Sequence, residues 1–490
     1  MNPNDSVAPR ISRRGFLLGA AAGLTAGAAL SWLALRQFPL VLPTPVPISP
    51  EESTARSGFA ASDSMPGRYP GRVIEVRHPR AVTADHRINA EIVSQLVDRG
   101  MAELTGYEPG DPYAWRCLFD RDDVVGIKVN PVGRKPLPNE IRQGTRSHLA
   151  VGSISSPELI VKVVRSLMGI GIPASNIVLF ERYANEFLET GYGDLVEREL
   201  PRGVRWMTAA ASYSGQQLDI RGFDADCASL SPEAEKHVVG YDPDVFTTMG
   251  FCDPKHSTRD DRRYRSHLSL VVSRLINKMI TLPVLKDHRS GGVTLSLKNM
   301  SHGMNNNVAR SHIAGIAHGF GPAVKVLGLN QCNTFIPQAV SQQRLRDRAT
   351  LHILDGLIGV YEGGPGSWNR SWATWRHKGL FFATDPVALD HVCWDIIDTK
   401  RAEEGWPPVE RMGWMQQPDY AQAASSVAPL AGTHPLAAVP LLAGTINRME
   451  ARNTEVFNLR QPDHVMHAGM LGLGVFDRDR ITYRSILLDG

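Results

Sequence analysis

Lys286 and His288 end an apolar run at residues 280–285, inside the stretch LPVLKDHRSGGVTLSLKNMSHGMNNN. Two glycines follow, then Lys298 and Asn299. Lys128 and Asn130 close a second apolar run, 124–129. Asp355 interrupts a third, LHILDGLIGV, and Glu362 leads into GGPG. Asp385 and Asp390 stand in ATDPVALDHV. Lysines and amides suit a multiply charged anion or a carbonyl oxygen, whereas carboxylates and histidine suit proton transfer or a metal. Lys286, His288, Asp355 and Asp385 therefore form a candidate catalytic set. Lys128, Asn130, Lys298 and Asn299 form a candidate ligand-binding set, and His288, Glu362 and Asp390 a candidate metal set. Each has a plainer reading. A lysine ending a strand is usually just solvated, Asp385 before Pro386 is the pattern of a helix cap, and Glu362 fits a turn-forming loop. Asp355 is harder to dismiss, because a carboxylate inside an apolar run needs a partner.

The elements that would carry these residues alternate along the chain. GRVIEVRH, from Gly71, and residues 124–129 read as short strands, the second buried on both faces. Residues 157–168 place Leu159, Ile160, Val163, Val164, Leu167 and Met168 at helical spacing, behind Ser155 or Ser156 as the cap and Pro157 at the first position. Residues 177–180 form the next strand, which makes a right-handed βαβ unit with parallel strands. Further strands are expected at 280–285, 351–360 and 380–383, the last leading into a helix capped by Asp385. For 293–299, alternation favours a strand, but Lys298 and His302 at i and i+4 favour a helix started by the glycines. On the helical reading its first amides sit near Lys286 and His288 and make a corner suited to an anion. The expected fold class is α/β, a mostly parallel sheet flanked by helices, with irregular insertions at about 182–275 and 401–456. In such sheets ligands bind beyond the carboxyl ends of the strands, where the candidate residues fall.

Composition narrows the classes. The chain has 490 residues, 42% of them hydrophobic and 21% charged, values of a globular protein with a real core. A formal net charge of +3 offers no basis for nucleic acid as a partner. No G-x-S-x-G elbow, H-E-x-x-H helix, P-loop or G-x-G-x-x-G fingerprint is present. The 5 cysteines are scattered without a C-x-x-C pair, which argues against an iron–sulfur cluster in this chain and leaves any metal unidentified.

Arg13 and Arg14 directly precede an uncharged stretch rich in alanine and glycine that runs to Leu35. Residues 1–38 resemble a twin-arginine export signal, and the stretch is long enough to remain as a membrane anchor. A Pro/Ser-rich linker at 39–70 would then lead to a body at 71–480. The expected location is periplasmic or otherwise extracytoplasmic. The translocation machinery would be a partner, and membrane contact would be confined to the N-terminal segment.

VGIKVN, SPELIVKVVRSLMGIGI with IVLFE, LPVLKDH with GGVTLSLKNM, LHILDGLIGVYEGGPG, ATDPVALDHV and GLGVFD occur in that order between Gly71 and Asp477. Together they resemble the bacterial and archaeal domain of unknown function 362. The resemblance maps Lys128, Asn130, Lys286, His288, Lys298, Asn299, Asp355, Glu362, Asp385 and Asp390 onto motif positions without assigning them roles. Many members carry an appended ferredoxin-like cysteine cluster, which implies a redox partner or context, but this chain lacks the cluster. The expectation is an exported enzyme that binds an anionic small molecule, with or without a metal. The alternative is a non-catalytic protein for ligand binding or cofactor assembly. Convergence of the carboxylates on the lysines would favour the enzyme; their dispersal to caps would favour the binder.

Overall fold

A run of four parallel strands forms half of the main sheet: β2 (Val125–Lys128), β3 (Ile177–Tyr183), β4 (Arg205–Ala210) and β7 (Lys278–Thr281). The computed structural model describes residues 64–135, 151–249, 256–257, 259–288, 291–312, 332–367, 372–406, 408–409 and 462–489. The segment expected to be an export signal, and most of the expected linker, lie outside these residues. Among the described residues no helix is long and apolar enough to cross a membrane.

The other half is mixed. β10 (Ala349–Glu362) runs parallel to β7, then β12 (Gly379–Ala383) and β1 (Arg72–Arg77) pair antiparallel, and β13 (Thr482–Leu487) lies parallel to β1 at the edge. The order is β13-β1-β12-β10-β7-β2-β3-β4, and with the short partners β8 (Val284–His288), β9 (Gly292–Val293) and β11 (Ala373–Trp375) the described sheet has 11 strands. The expected α/β class holds. A separate hairpin is formed by β5 (Tyr241–Thr248) and β6 (Arg265–Ser269).

Two layers of helices cover the sheet. On one face α1 (Ala90–Thr105) and α2 (Pro157–Gly169) bury Leu96, Val97, Val163 and Leu167 against Ile127, Leu179, Ile280 and Ile353. Helices α3 (Ala184–Glu189) and α4 (Tyr192–Arg198) follow β3, and Phe187 and Tyr192 join the same core. On the other face lie α5 (Leu295–His302), α6 (Cys332–Val340), α7 (Pro386–Glu403) and α8 (Asp463–Met470), packed on Phe180, Met279, Leu354 and Phe381.

The βαβ unit β2–α2–β3 is parallel, as the helical spacing and the Gly169–Pro173 break imply. Three expectations need correction. Residues 280–285 are two strands, because Pro283 has no N–H to continue the ladder. Leu282 instead donates to the Lys128 carbonyl, and Asp355 donates to the Pro283 carbonyl. Part of the unparsed segment 182–275 is integral to the fold, since β4 closes one edge of the main sheet. The sheet also continues past residue 480, to β13.

Candidate functional site

Lys128 pairs in register with Phe180 and Thr281, and Thr281 with His352, so these side chains share the face covered by α5. Lys128 is fully buried. Its ammonium meets the Glu181 carboxylate, the Val129 carbonyl at 2.7 Å and Asn299 Oδ1 at 3.3 Å. It therefore ties the ends of β2 and β3 to the middle of α5. Gly303, just past α5, is needed for this approach, because a Cβ there would stand 2.7 Å from the Lys128 nitrogen.

Lys286 is the middle residue of β8, in the same region, and is also fully buried. Its one hydrogen bond among the described residues goes to the Val132 carbonyl. That carbonyl belongs to a loop shaped by Asn130, whose Oδ1 accepts from Val132 N–H at 3.1 Å. Gly133 completes the loop at φ 114°, and a Cβ on it would reach 3.2 Å from the Lys286 nitrogen. Asn130 thus acts on the loop backbone. Lys298 and Asn299 are buried on α5.

Burial, opposed by the charges of Asp287, Glu186 and Glu181, brings the Lys286 ammonium down to about 7, and nearby Lys298 pushes the same way as burial. Burial likewise lowers Lys298 to about 8, against the attraction of Cys332 and with the repulsion of Arg182. Partly buried Glu186, on α3, is raised to about 7 by desolvation and then by the Glu181 charge. Asn299 Nδ2 and Arg182 Nε are shielded from solvent without a hydrogen-bond partner among the described residues. Two donors of the site thus lack an acceptor among the described residues.

The carboxylates expected there are engaged elsewhere. Asp355 accepts from Ser156 N–H and Oγ at 2.8 and 2.7 Å and from Leu357 N–H at 3.0 Å, so it holds the entry to α2. Asp385 caps α7 through Val387 and Ala388 N–H and also accepts from Gly71 and Val475. Burial raises Asp385 to about 6, against the pull of those four amides. Asp390 accepts from Ser296 and Leu297 N–H at 2.8 and 2.9 Å. The helix at 295–302 does form, but its N-terminal amides are met by this protein's own Asp390 carboxyl, whose pKa burial raises to about 8, and that corrects the corner expected for an external anion.

Glu362 pairs with buried Arg401 at 2.8 Å, and Asp287 lies 3.7 Å from the same guanidinium while accepting Gly364 N–H. His288 is buried at the end of β8, with Nδ1 accepting Gly291 N–H at 3.1 Å. The proposed metal set of His288, Glu362 and Asp390 does not assemble: no group of three His, Cys, Asp or Glu side chains suited to a metal occurs among the described residues. Asp390 faces helix amides and Glu362 an arginine, which is the physical reason. No disulfide joins any of the four described cysteines, Cys117, Cys227, Cys332 and Cys393, to another of them.

Sequence reasoning selected the lysines but passed over Arg182, Glu186 and Arg401. Arg182 directly follows the β3 strand-end Glu181, so the strand-end rule could have reached it. Arg401 gives no local signal, because its partners lie 39 and more residues away.

Residues 253–395 match the family model described as Domain of unknown function (DUF362). The match runs from the β5–β6 hairpin into α7. It includes Lys286, Lys298, Asn299, Asp355 and Asp385, and leaves out Lys128, Glu181 and α8. It is shorter than the 71–477 span over which the motifs resemble that family. No curated protein matches the chain. Among solved structures, a crystal structure of a Thermotoga maritima protein aligns at 10% identity and TM-score 0.32, over 64% of this chain and 59% of that one. This chain thus spans about three fifths of the length of that structure.

Proposed function

We propose that the protein binds a small anionic molecule at the carboxyl ends of β2, β3 and β8, beneath α5. One observation carries this: Lys286 is fully buried with a single hydrogen bond among the described residues, to a carbonyl, and in the same region Arg182 Nε and Asn299 Nδ2 are shielded donors without an acceptor among the described residues, with buried Lys298 as a second cation. Buried donors without acceptors are costly, and an anion entering among them gains charge-assisted hydrogen bonds. The dispersal of Asp355, Asp385 and Asp390 to helix starts supports a binding role over carboxylate-driven catalysis. A second reading, proton transfer on the bound anion, is supported by Lys286 and Glu186, both held near neutrality in one region.

We also place the protein outside the cytoplasm, on the strength of Arg13, Arg14 and the apolar stretch behind them; recovery of the full chain solely from the cytoplasmic fraction of its cells would remove that part.

Titration calorimetry with inorganic phosphate, malate and citrate tests the site. Binding of at least one probe is expected, tighter at pH 6 than at pH 8.5, because Lys286 carries its proton only at the lower pH. Lys286→Met should weaken it by about 10- to 100-fold, the loss of one charge-assisted contact. Undiminished binding by the Lys286→Met, Lys298→Met double variant sinks the proposal.

A further inference from the structure

His464, near the start of α8, is fully buried, and neither Nδ1 nor Nε2 has a hydrogen-bond partner among the described residues. Two other histidines of the helices on this face behave differently. His302 uses both ring nitrogens, Nδ1 with Ser301 Oγ at 3.0 Å and Nε2 with Ser311 Oγ at 2.7 Å. His467, one turn along α8, has Nδ1 on the Asn333 carbonyl at 3.0 Å. Only the backbone of His464 is tied in this way, its N–H donating to Asn333 Oδ1 at 3.2 Å.

The position of His464 connects it to the lysine site. Asn333 follows Cys332 at the start of α6, and α6 packs on both α5 and α8. Lys298, on α5, is the common electrostatic neighbour of Lys286, Cys332 and His464. Burial and the Lys298 charge keep the His464 imidazole neutral, with a pKa lowered to about 3. A neutral imidazole presents one N–H donor and one lone pair. The nearby ammonium makes this a poor place for a metal cation, but it suits the uncharged end of a ligand whose charged end meets the lysines.

We propose that His464 is the second polar anchor of the anion held by Lys286 and Lys298, and that it meets a hydroxyl group on that anion. The ligand class is then a hydroxylated carboxylate or phosphate ester rather than a bare anion. A hydroxyl both donates and accepts, so it can meet either the N–H or the lone pair of the neutral ring, one nitrogen for each hydroxyl. This rests on the anion site proposed above and adds to it a requirement on the ligand.

The test uses the full chain and two probe pairs, malate against succinate and glycerol 3-phosphate against inorganic phosphate. In at least one pair the hydroxylated member should bind on the order of 10-fold tighter to the wild type, the range of one added hydrogen bond. His464→Leu should reduce that preference to within about twofold without lowering the Tm of the unliganded protein, since it removes a buried polar group that has no partner. His464→Gln, which keeps a donor and an acceptor, should restore part of the preference. A hydroxyl preference that survives in His464→Leu overturns the proposal, as does equal binding within both pairs by the wild type. A lower Tm with both members of a pair weakened alike also overturns it, because that marks a purely structural residue. Bare anions that bind and are lost in Lys286→Met, without hydroxyl preference, leave the anion site standing and remove only the role of His464. No binding by any probe removes both.

Discussion

Asp385→Ala should lower the stability of the folded protein by about 4–6 kcal/mol, a large share of the 5–15 kcal/mol typical of native proteins. Its carboxylate accepts four backbone N–H groups: Val387 and Ala388 at 3.0 Å on one oxygen, Gly71 and Val475 at 2.9 Å on the other. The first two begin α7. Gly71 precedes β1, and Val475 lies on the approach to β13, so one side chain fixes a helix and the entry to two strands. Truncation leaves these amides without their acceptor, at about 1–3 kcal/mol for each that neither water nor relaxation can satisfy. Asp385→Asn should recover only part of the loss, because an amide has one accepting oxygen where a carboxylate has two. Urea denaturation of the three proteins at pH 7 measures this. A loss below about 1 kcal/mol for the alanine variant would show that the four bonds contribute little. Material that remains folded should bind the probe anions as the wild type does, which separates a cap from a catalytic acid.

How far the sequence shows this arrangement depends on the range of each interaction. Local patterns were legible: the 3.6-residue spacing of α2, the Ser156–Pro157 start, the Asp385–Pro386 cap and the apolar runs that became β2, β7, β10 and β12. The strand-end rule also brought Lys128 and Lys286 to one region, because in a parallel sheet the carboxyl ends lie together whatever the strand order. Strand order itself was not legible, and it decides what each charge meets. Asp390 and the N-terminus of α5 lie 94 and 93 residues from each other along the chain at their two bonds, and no spacing shows that they will touch. The same holds for Arg401 with Asp287 and Glu362. Pro283 was a readable signal that the run 280–285 could not be one strand. The carboxylates looked catalytic in sequence because a buried Asp needs a partner. In the fold that partner is a backbone amide in three of four cases, Asp355, Asp385 and Asp390, while Glu362 takes an arginine.

Lys286→Met should make the protein more stable, by an amount that depends on pH in a defined direction. The folded-state pKa of Lys286 is about 7, against an ordinary value of 10.5, with burial as the main cause. Between those values the unfolded chain holds a proton that the folded chain does not, so wild-type stability rises with pH across the window. Below about pH 7 both states are protonated, and the cost of keeping a buried ammonium is fully present. Methionine has a similar shape and no charge. The gain from Lys286→Met should therefore be greatest near pH 6, at about 2–3 kcal/mol, shrink through pH 8 and 9, and vanish towards pH 10.5. The figure is set below the full pKa difference because Asp287, Glu186 and Glu181, which now offset part of the Lys286 charge, lose that partner. Urea denaturation at pH 6, 8 and 10 gives the curve. A variant less stable than wild type at pH 6 would mean that the bond to the Val132 carbonyl outweighs desolvation, and that Lys286 is a structural tie. A gain that fades with rising pH, together with weakened anion binding, would identify a charge kept at the expense of stability because the ligand requires it.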